Sequence, residues 1–526
     1  MKRLYVAFLS VMLLLSCNMG GGSDSYGKVR VPYPISAEGY PAHVHLKWND
    51  NIGSVYDIYR ADHAGRFEKF AQSSSNEFMD FSIGKSDKSR EYTYRICPSG
   101  FPVDSASAFE VKAEVPAASD SALLDMVQEY TLRYFTDFAH PHTGLARERS
   151  NDINGDIVTT GGTGFGLMAI IAGAERGFIT KERALEVVGK IVTFLEECEK
   201  FHGAWAHWYN GDTGEAFSFS RYDNGGDLVE TAFLVDGLLA VRQWLADSPV
   251  AEEKALSQRC DKLWKGVEWD WYTRGEKVLY WHWSKQHGWK MNHKLRGFDE
   301  TFITYVLAVS SPTHPIDPQI YETCFKDSPT YFNGKEYCGV KLDLGMDFGG
   351  PLFFTHYSFL GLDPRTAVVD GFNMFERNRA HSLIHYNYAI ENPNGHKGLG
   401  ADLWGFTSSD DPLVGYTSHH PGTDAENGTV SPTAAVSSIV YTPEESLGFI
   451  RHMYYNLGEK TFGKYGFYDA YNPSMAEGQQ VVRSFLAIDQ GPQVVMIENY
   501  RSGLIWNLFM SCPEIHNGLT KLGFTK

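Results

Sequence analysis

Asp223-Asn224-Gly225-Gly226-Asp227-Leu228-Val229-Glu230, running on into Thr231-Ala232-Phe233-Leu234, is the stretch on which the fold turns. A Gly-Gly turn delivers the chain to an acid, and apolar residues at helical spacing follow through residue 245. Asp227 and Glu230 have the spacing of an N-cap and its N3 partner, so helix capping alone would account for both. Asp223 lies ahead of the cap, where capping does not explain it. Two further stretches set acids at helix boundaries. Gly297-Phe298-Asp299-Glu300 opens a helix over 299–309. Asp299 is its natural N-cap, and Glu300 falls in the first turn, where a carboxylate favours the helix dipole. Ala487-Ile488-Asp489-Gln490-Gly491-Pro492 reads as a corner between helices at 475–488 and 492–509, because Gly and Pro break helices. A role in stabilising that turn is open to Asp489.

Outward from these starts, helical spacing recurs at 121–138, 163–175, 181–199, 365–390 and 443–457, between long loops rich in Gly, Trp, His and Asp. Successive helices without a fixed repeat period predict a mainly α chain built as an (α/α)6 barrel rather than a solenoid. In such a toroid alternate helices form the inner ring and their N-termini share one face. Acids at inner-helix starts therefore converge, though distant in sequence. Hydrolysis of a glycosidic bond needs such a pair, one carboxyl to protonate the leaving oxygen and one to activate water. In a partly apolar cleft Glu300 would stay protonated and serve as general acid. Aromatic residues stand near each group: Trp205 and Trp208 before the first, Trp283 before the second, and Trp404 with Asp410 in the loop 403–410. Each Trp could simply fill the core, but their shared placement in Gly-rich loops predicts a sugar-binding cleft. There is neither an HExxH helix nor a GxSxG elbow, and no metal or cofactor is expected.

From residue 28 to 116 the pattern is β, with alternation at 43–48, 55–60 and 91–96. The strand Trp48, the YDIYR strand and the YTYRI strand resemble a fibronectin type III-like sandwich. Val115-Pro116-Ala117-Ala118 links it to a helical domain over 119–526. At the N-terminus Lys2 and Arg3 precede an apolar run from Leu4 to Leu15, too short to span a bilayer and patterned as a signal peptide. Leu14-Leu15-Ser16-Cys17 resembles a bacterial lipobox, which would make 1–17 the signal, Cys17 the lipidated residue and 18–27 a flexible tether. An ordinary secretory signal is the alternative. This implies a protein of a Gram-negative cell envelope, anchored to the outer membrane and touching it only through the lipid. The net charge of −17 argues against nucleic acid and polyanionic substrates, and leaves a neutral polymer such as a glucan as the partner. The seven cysteines form no CxxC; Cys324 and Cys338 either pair across a loop or stay free.

The stretches VTTGGTGFGLMAIIAGAERGFI (158–179), DNGGDLVETAFLVDGLL, SSPTHPI (310–316), WGFTSSDDP, GTVSPTAAVSSIVYTPEESL and AIDQGP, in this order, resemble the bacterial glucoamylase-like proteins of glycoside hydrolase family 144, the endo-β-1,2-glucanases. The likeness runs from about residue 121 to the C-terminus. It implies an (α/α)6 barrel, inversion at the anomeric carbon, and β-1,2-glucan cut to sophoro-oligosaccharides. It also implies that Glu300 is the general acid, that Asp489 takes the proton of the attacking water directly or by relay, and that Asp223, Asp227 and Glu230 hold sugar hydroxyls. Two other readings stay open: an exo-acting glucoamylase on α-glucans, and a non-catalytic glycan-binding surface lipoprotein.

Overall fold

The computed structural model describes residues 35–49, 55–100, 109–151 and 155–525; the signal segment, Cys17 and the tether lie outside them. The described chain divides into two compact units. One holds 35–38, 45–78 and 91–114, the other 39–44, 79–90 and everything from 115 onward.

Among the described residues the N-terminal β region has seven strands: β1 (Ile35–Gly39), β2 (Val44–Trp48), β3 (Tyr56–Ala61), β4 (Phe67–Ser73), β5 (Glu77–Asp80), β6 (Arg90–Pro98) and β7 (Phe109–Val115). They form two sheets, ordered β1-β2-β5 and β4-β3-β6-β7. Alternation places Leu46 and Trp48 from one sheet, and Ile58, Tyr94 and Ile96 from the other, in a buried middle layer. The three predicted strands are present, shifted by a residue or so at their ends.

The second unit opens with α1 (Asp120–Thr136), α2 (Thr160–Arg176), α3 (Lys181–Glu197), α4 (Leu228–Leu245), α5 (Ala251–Lys265) and α6 (Phe302–Ser310). Later come Met374–Glu391, Pro432–Ser437, Pro443–Arg451 and Ala487–Arg501. Two kinds of helix alternate along the chain. α2, α4, α6, Pro432–Ser437 and Ala487–Arg501 are buried nearly all round. α3, α5 and Pro443–Arg451 bury a single stripe. A helix apolar on every side belongs inside, and an amphipathic one faces water. The first kind is the inner ring of an (α/α)6 barrel and the second its outer ring. α2 touches both α4 and Ala487–Arg501, and α4 touches α6.

Glycines set how closely the inner helices approach. A Cβ on Gly237 of α4 would lie 2.2 Å from the Gly164 carbonyl oxygen of α2, and one on Gly164 would lie 2.1 Å from the Phe233 carbonyl oxygen. Main chain rests on main chain. In an open helix, Gly→Ala stabilises by about 1 kcal/mol. At this crossing the methyl has no room, and overpacking of about 1–3 kcal/mol outweighs that gain. Gly237→Ala is therefore expected to lower the thermal midpoint; an unchanged or raised midpoint would show that the crossing is slack.

Three expectations are corrected. Residues 475–486 are not helical, and Val481–Val482 instead pairs with Ala470–Tyr471. The expected corner at 487–492 is the beginning of one continuous helix, Ala487–Arg501, with Pro492 inside it. Gly491 is there for packing: its Cβ would lie 2.4 Å from Phe165 Cβ of α2. The helix expected from 365 starts only at Met374, where Asn373 accepts the Glu376 N–H, and a short hairpin, Val368–Val369 with Phe372–Asn373, precedes it. All six described cysteines are free, Cys324 and Cys338 included. Among the described residues no helix is long and apolar enough to cross a membrane.

Candidate active site

At the head of α4, Gly226–Asp227 pairs antiparallel with His282–Trp283, which lays the 280–294 hairpin along the helix start. Asp227 Oδ1 accepts the N–H groups of Val229 and Glu230, both at 2.9 Å, and so caps the helix. Its Oδ2 lies 2.9 Å from His207 Nδ1. One carboxylate thus caps a helix and orients an imidazole at once. Glu230 does not close a capping box. Its Oε2 accepts the Gly161 N–H at 2.7 Å from the first turn of α2, and Oε1 stands 3.7 Å from His207 Nε2. Only glycine fits at 161, since a Cβ would come within 2.4 Å of that carboxylate. Asp223 is 1% exposed, with His282 Nε2 at 3.2 Å and His207 Nδ1 at 3.9 Å.

Burial pulls the His207 imidazole down, but Glu230, Asp227 and Asp223 outweigh it and hold its pKa at about 9. Glu230 is pushed up to about 7 by burial and by Asp227 and Asp223, against the pull of His207. At neutral pH His207 is an imidazolium among carboxyl groups. One ligand atom each from His207, Asp223 and Asp227 falls within 4.8 Å of the others, and in the absence of a cation the ring proton is what offsets these carboxylates.

Glu300 stands before α6, not in its first turn, because the helix begins at Phe302. Asp299 Oδ1 accepts the Thr301 N–H at 3.0 Å and its hydroxyl at 2.6 Å, and the Ser358 hydroxyl donates to the Glu300 carbonyl at 2.6 Å. These bonds fix the turn and leave the carboxyl facing the cleft. Glu300 Oε2 has no hydrogen-bond partner among the described residues. Burial, then Asp299, Glu230 and Asp227, hold this carboxyl well above the usual range. The surroundings therefore favour its protonated form.

Asp489 lies in the first turn of Ala487–Arg501, 1% exposed, and the Tyr357 hydroxyl donates to its Oδ1 at 3.4 Å. Behind it runs a chain of acids that sequence reasoning did not assemble. Asp469 is next to Asp489 and accepts the Asp410 N–H at 2.6 Å. Asp410 accepts the Ser484 hydroxyl at 2.6 Å and the Arg149 guanidinium at 2.9 Å, and Arg149 grips Glu148 at 2.6 and 3.1 Å. Burial, then Asp469 and Asp410, push Asp489 well above its ordinary value; burial and Asp410 bring Asp469 to about 7. Two adjacent buried carboxyls cannot both carry charge, so the pair holds a proton between them.

These groups surround a cleft of about 360 Å3. Asp227, Glu230, Glu300 and Trp208 line it. Asp489 and Asp223 sit directly behind its wall, and Asp410 steadies Arg149, which does line it. Trp205 and Trp404 are not there. Both are fully buried, and their indole N–H groups donate to the Leu195 and Glu445 carbonyls, so the core reading holds for these two. Trp283 packs against His202 and Trp271 away from the cleft. His207, Glu148, Arg149, Trp281, Tyr357 and Tyr416 line it without having been singled out. Of these, His207 carried a signal, being the one imidazole in Trp205-Ala206-His207-Trp208-Tyr209, and so did Trp281, in the aromatic run Trp281-His282-Trp283.

A family model described as "Putative glucoamylase" matches residues 292–513. The exo β-1,2-glucooligosaccharide sophorohydrolase (non-reducing end) of Parabacteroides distasonis is 39% identical over 545 aligned residues, covering 98% of this chain and 74% of that protein. The crystal structure of β-1,2-glucanase from Parabacteroides distasonis superposes with a TM-score of 0.83 at 39% identity, over 94% of this chain and 74% of that one. Endo-β-1,2-glucanase from Chitinophaga pinensis, solved with sophorotriose and glucose, superposes at 0.75 with 46% identity, over 78% of this chain and 99% of that one.

Proposed function

The chain belongs to the glucoamylase-like glycoside hydrolases of family 144, and from that premise we propose that it hydrolyses β-1,2-glucan by inversion, with Glu300 as general acid and Asp489 as the final proton acceptor. The observation that carries the assignment is the pairing across one cleft. A carboxyl held protonated, with an unengaged oxygen, stands at one inner-helix start, and a buried carboxyl pair lies behind another. Glu300 donates its proton to the departing glycosidic oxygen as the bond lengthens. Water attacks the opposite face of the anomeric carbon, and its proton reaches Asp489 through the Tyr357 hydroxyl, which both lines the cleft and bonds Asp489. Asp227, Glu230 and the His207 imidazolium supply acceptors and donors for sugar hydroxyls, and the two acids, with Asp299, favour the proton on Glu300.

All three relatives described above act on β-1,2-linked glucans, which supports this substrate over starch. Incubation of the full chain with linear β-1,2-glucan should release sophoro-oligosaccharides, and starch should stay intact. Glucose from starch, or no product from either polymer, would overturn the reading. A second reading, release of sophorose from the non-reducing end, is favoured by the relative that aligns along 98% of the chain. Sophorose alone at the earliest times marks end-wise release, and a ladder of longer products marks internal cleavage. Anchorage in the cell envelope through Cys17 rests on the lipobox-like Leu14-Leu15-Ser16-Cys17.

A further inference from the structure

Beyond the catalytic cleft, the loop after α5 and the 280–294 hairpin enclose a second cleft of about 540 Å3. Trp271, 39% exposed, and Trp289 line it, their rings 30° from parallel with centroids 6.4 Å apart. Both indoles are braced. Trp271 stacks on His202 at 3.6 Å and 14° and meets Trp283 edge-on at 5.9 Å. Trp289 carries the Arg274 guanidinium 5.4 Å from its ring. Each flanking carboxylate is aimed by an imidazole: Glu268 by His202 Nδ1 at 2.9 Å, and Asp270 by His314 Nδ1 at 3.2 Å. A carboxylate has about four acceptor positions, so both keep capacity for further hydroxyl donors.

The chemistry selects one class of ligand. Two carboxylates against one guanidinium disfavour anions. Flat, braced indoles offer faces on which the C–H side of a pyranose ring stacks, and the carboxylates and Arg274 fork meet its hydroxyls. The volume is in the range of sites that hold small ligands. The same hairpin serves both clefts, with Trp281 and His293 lining the catalytic one and Trp289 this one. None of the second cleft's side chains enters the hydrolytic scheme.

We propose that the Trp271–Trp289 cleft is a non-catalytic binding site for a glucan chain, holding one part of a long substrate while another part occupies the catalytic cleft. The identity of that chain as β-1,2-glucan rests on the function proposed above. The test uses the full chain carrying Glu300→Gln, titrated with long linear β-1,2-glucan and with sophorotriose. Adding Trp271→Ala should weaken binding of the long polymer about tenfold, the loss of roughly 1.4 kcal/mol of stacking, and leave sophorotriose binding unchanged. Arg274→Ala, which leaves both indoles in place, should weaken the polymer in the same sense and guards against a folding defect in the first variant. Long-polymer affinity equal to the parent's in both variants would overturn the site. Absence of hydrolysis by the unaltered chain overturns the proposed function instead. In that case Trp271-dependent polymer binding still supports the site, and Trp271-independent or absent binding counts against it.

Discussion

Glu300→Gln is expected to bind sophoro-oligosaccharides and to lose about 10^2–10^4-fold in turnover on β-1,2-glucan. The amide has the size of the carboxylic acid and still hydrogen-bonds, but it has no proton to give to a departing oxygen. The protonated form is what the surroundings select, since burial and the three acids Asp299, Glu230 and Asp227 all penalise the anion. The sign for pH follows. A general acid works while protonated, and its raised pKa extends activity upward, so the alkaline limb of kcat/KM marks loss of this proton. In the Gln variant that limb should vanish from whatever activity remains. An aryl β-glucoside with a good leaving group should lose much less, because its departing oxygen needs little protonation. Equal losses on polymer and aryl glycoside would remove Glu300 from the role.

Asp489→Asn should cost a comparable 10^2–10^4-fold, this time without relief from a better leaving group, because the missing step is removal of the water's proton. Its neighbour gives the sharper test. The base must be ionised, so activity falls as pH drops and the Asp469–Asp489 pair takes up a second proton. Asp469→Asn keeps an oxygen to accept the Asp410 N–H but removes a negative neighbour that raises Asp489. Asp489 then ionises at lower pH, and the acid limb should move down while the alkaline limb stays. An acid limb that does not move would show that the pair does not set it.

The helical architecture and the acids at helix starts were readable because both are local. A Gly-Gly turn before a capping acid, followed by apolar residues at helical spacing, looks the same in isolation as in the barrel, and Asp227 caps α4 as its spacing implied. What failed depended on neighbours distant in sequence. Glu230 has capping-box spacing but spends its carboxylate on Gly161 of another helix. Gly491 and Pro492 resemble a helix end, yet glycine there answers the closeness of Phe165. The Asp410–Asp469–Asp489 chain joins three segments with no shared pattern. Tryptophan was the least legible. Trp205 and Trp404 sit in loops like those of Trp208 and Trp281, and only tertiary packing separates core from cleft.

The glycine-mediated crossings bear on how such an enzyme diversifies. Where α2 lies main chain to main chain against α4, and accommodates Phe165 against Gly491, the inner wall has no slack to absorb new side chains. Selection acting on substrate length or mode of attack then has little to work with inside the barrel. It is left with the rim, where the loop bearing Trp271 and the part of the 280–294 hairpin beyond the His282–Trp283 pairing that steadies Asp227 and Asp223 can change length or exchange aromatics. A lineage built on this wall is free to invent at its edges and obliged to be conservative at its centre.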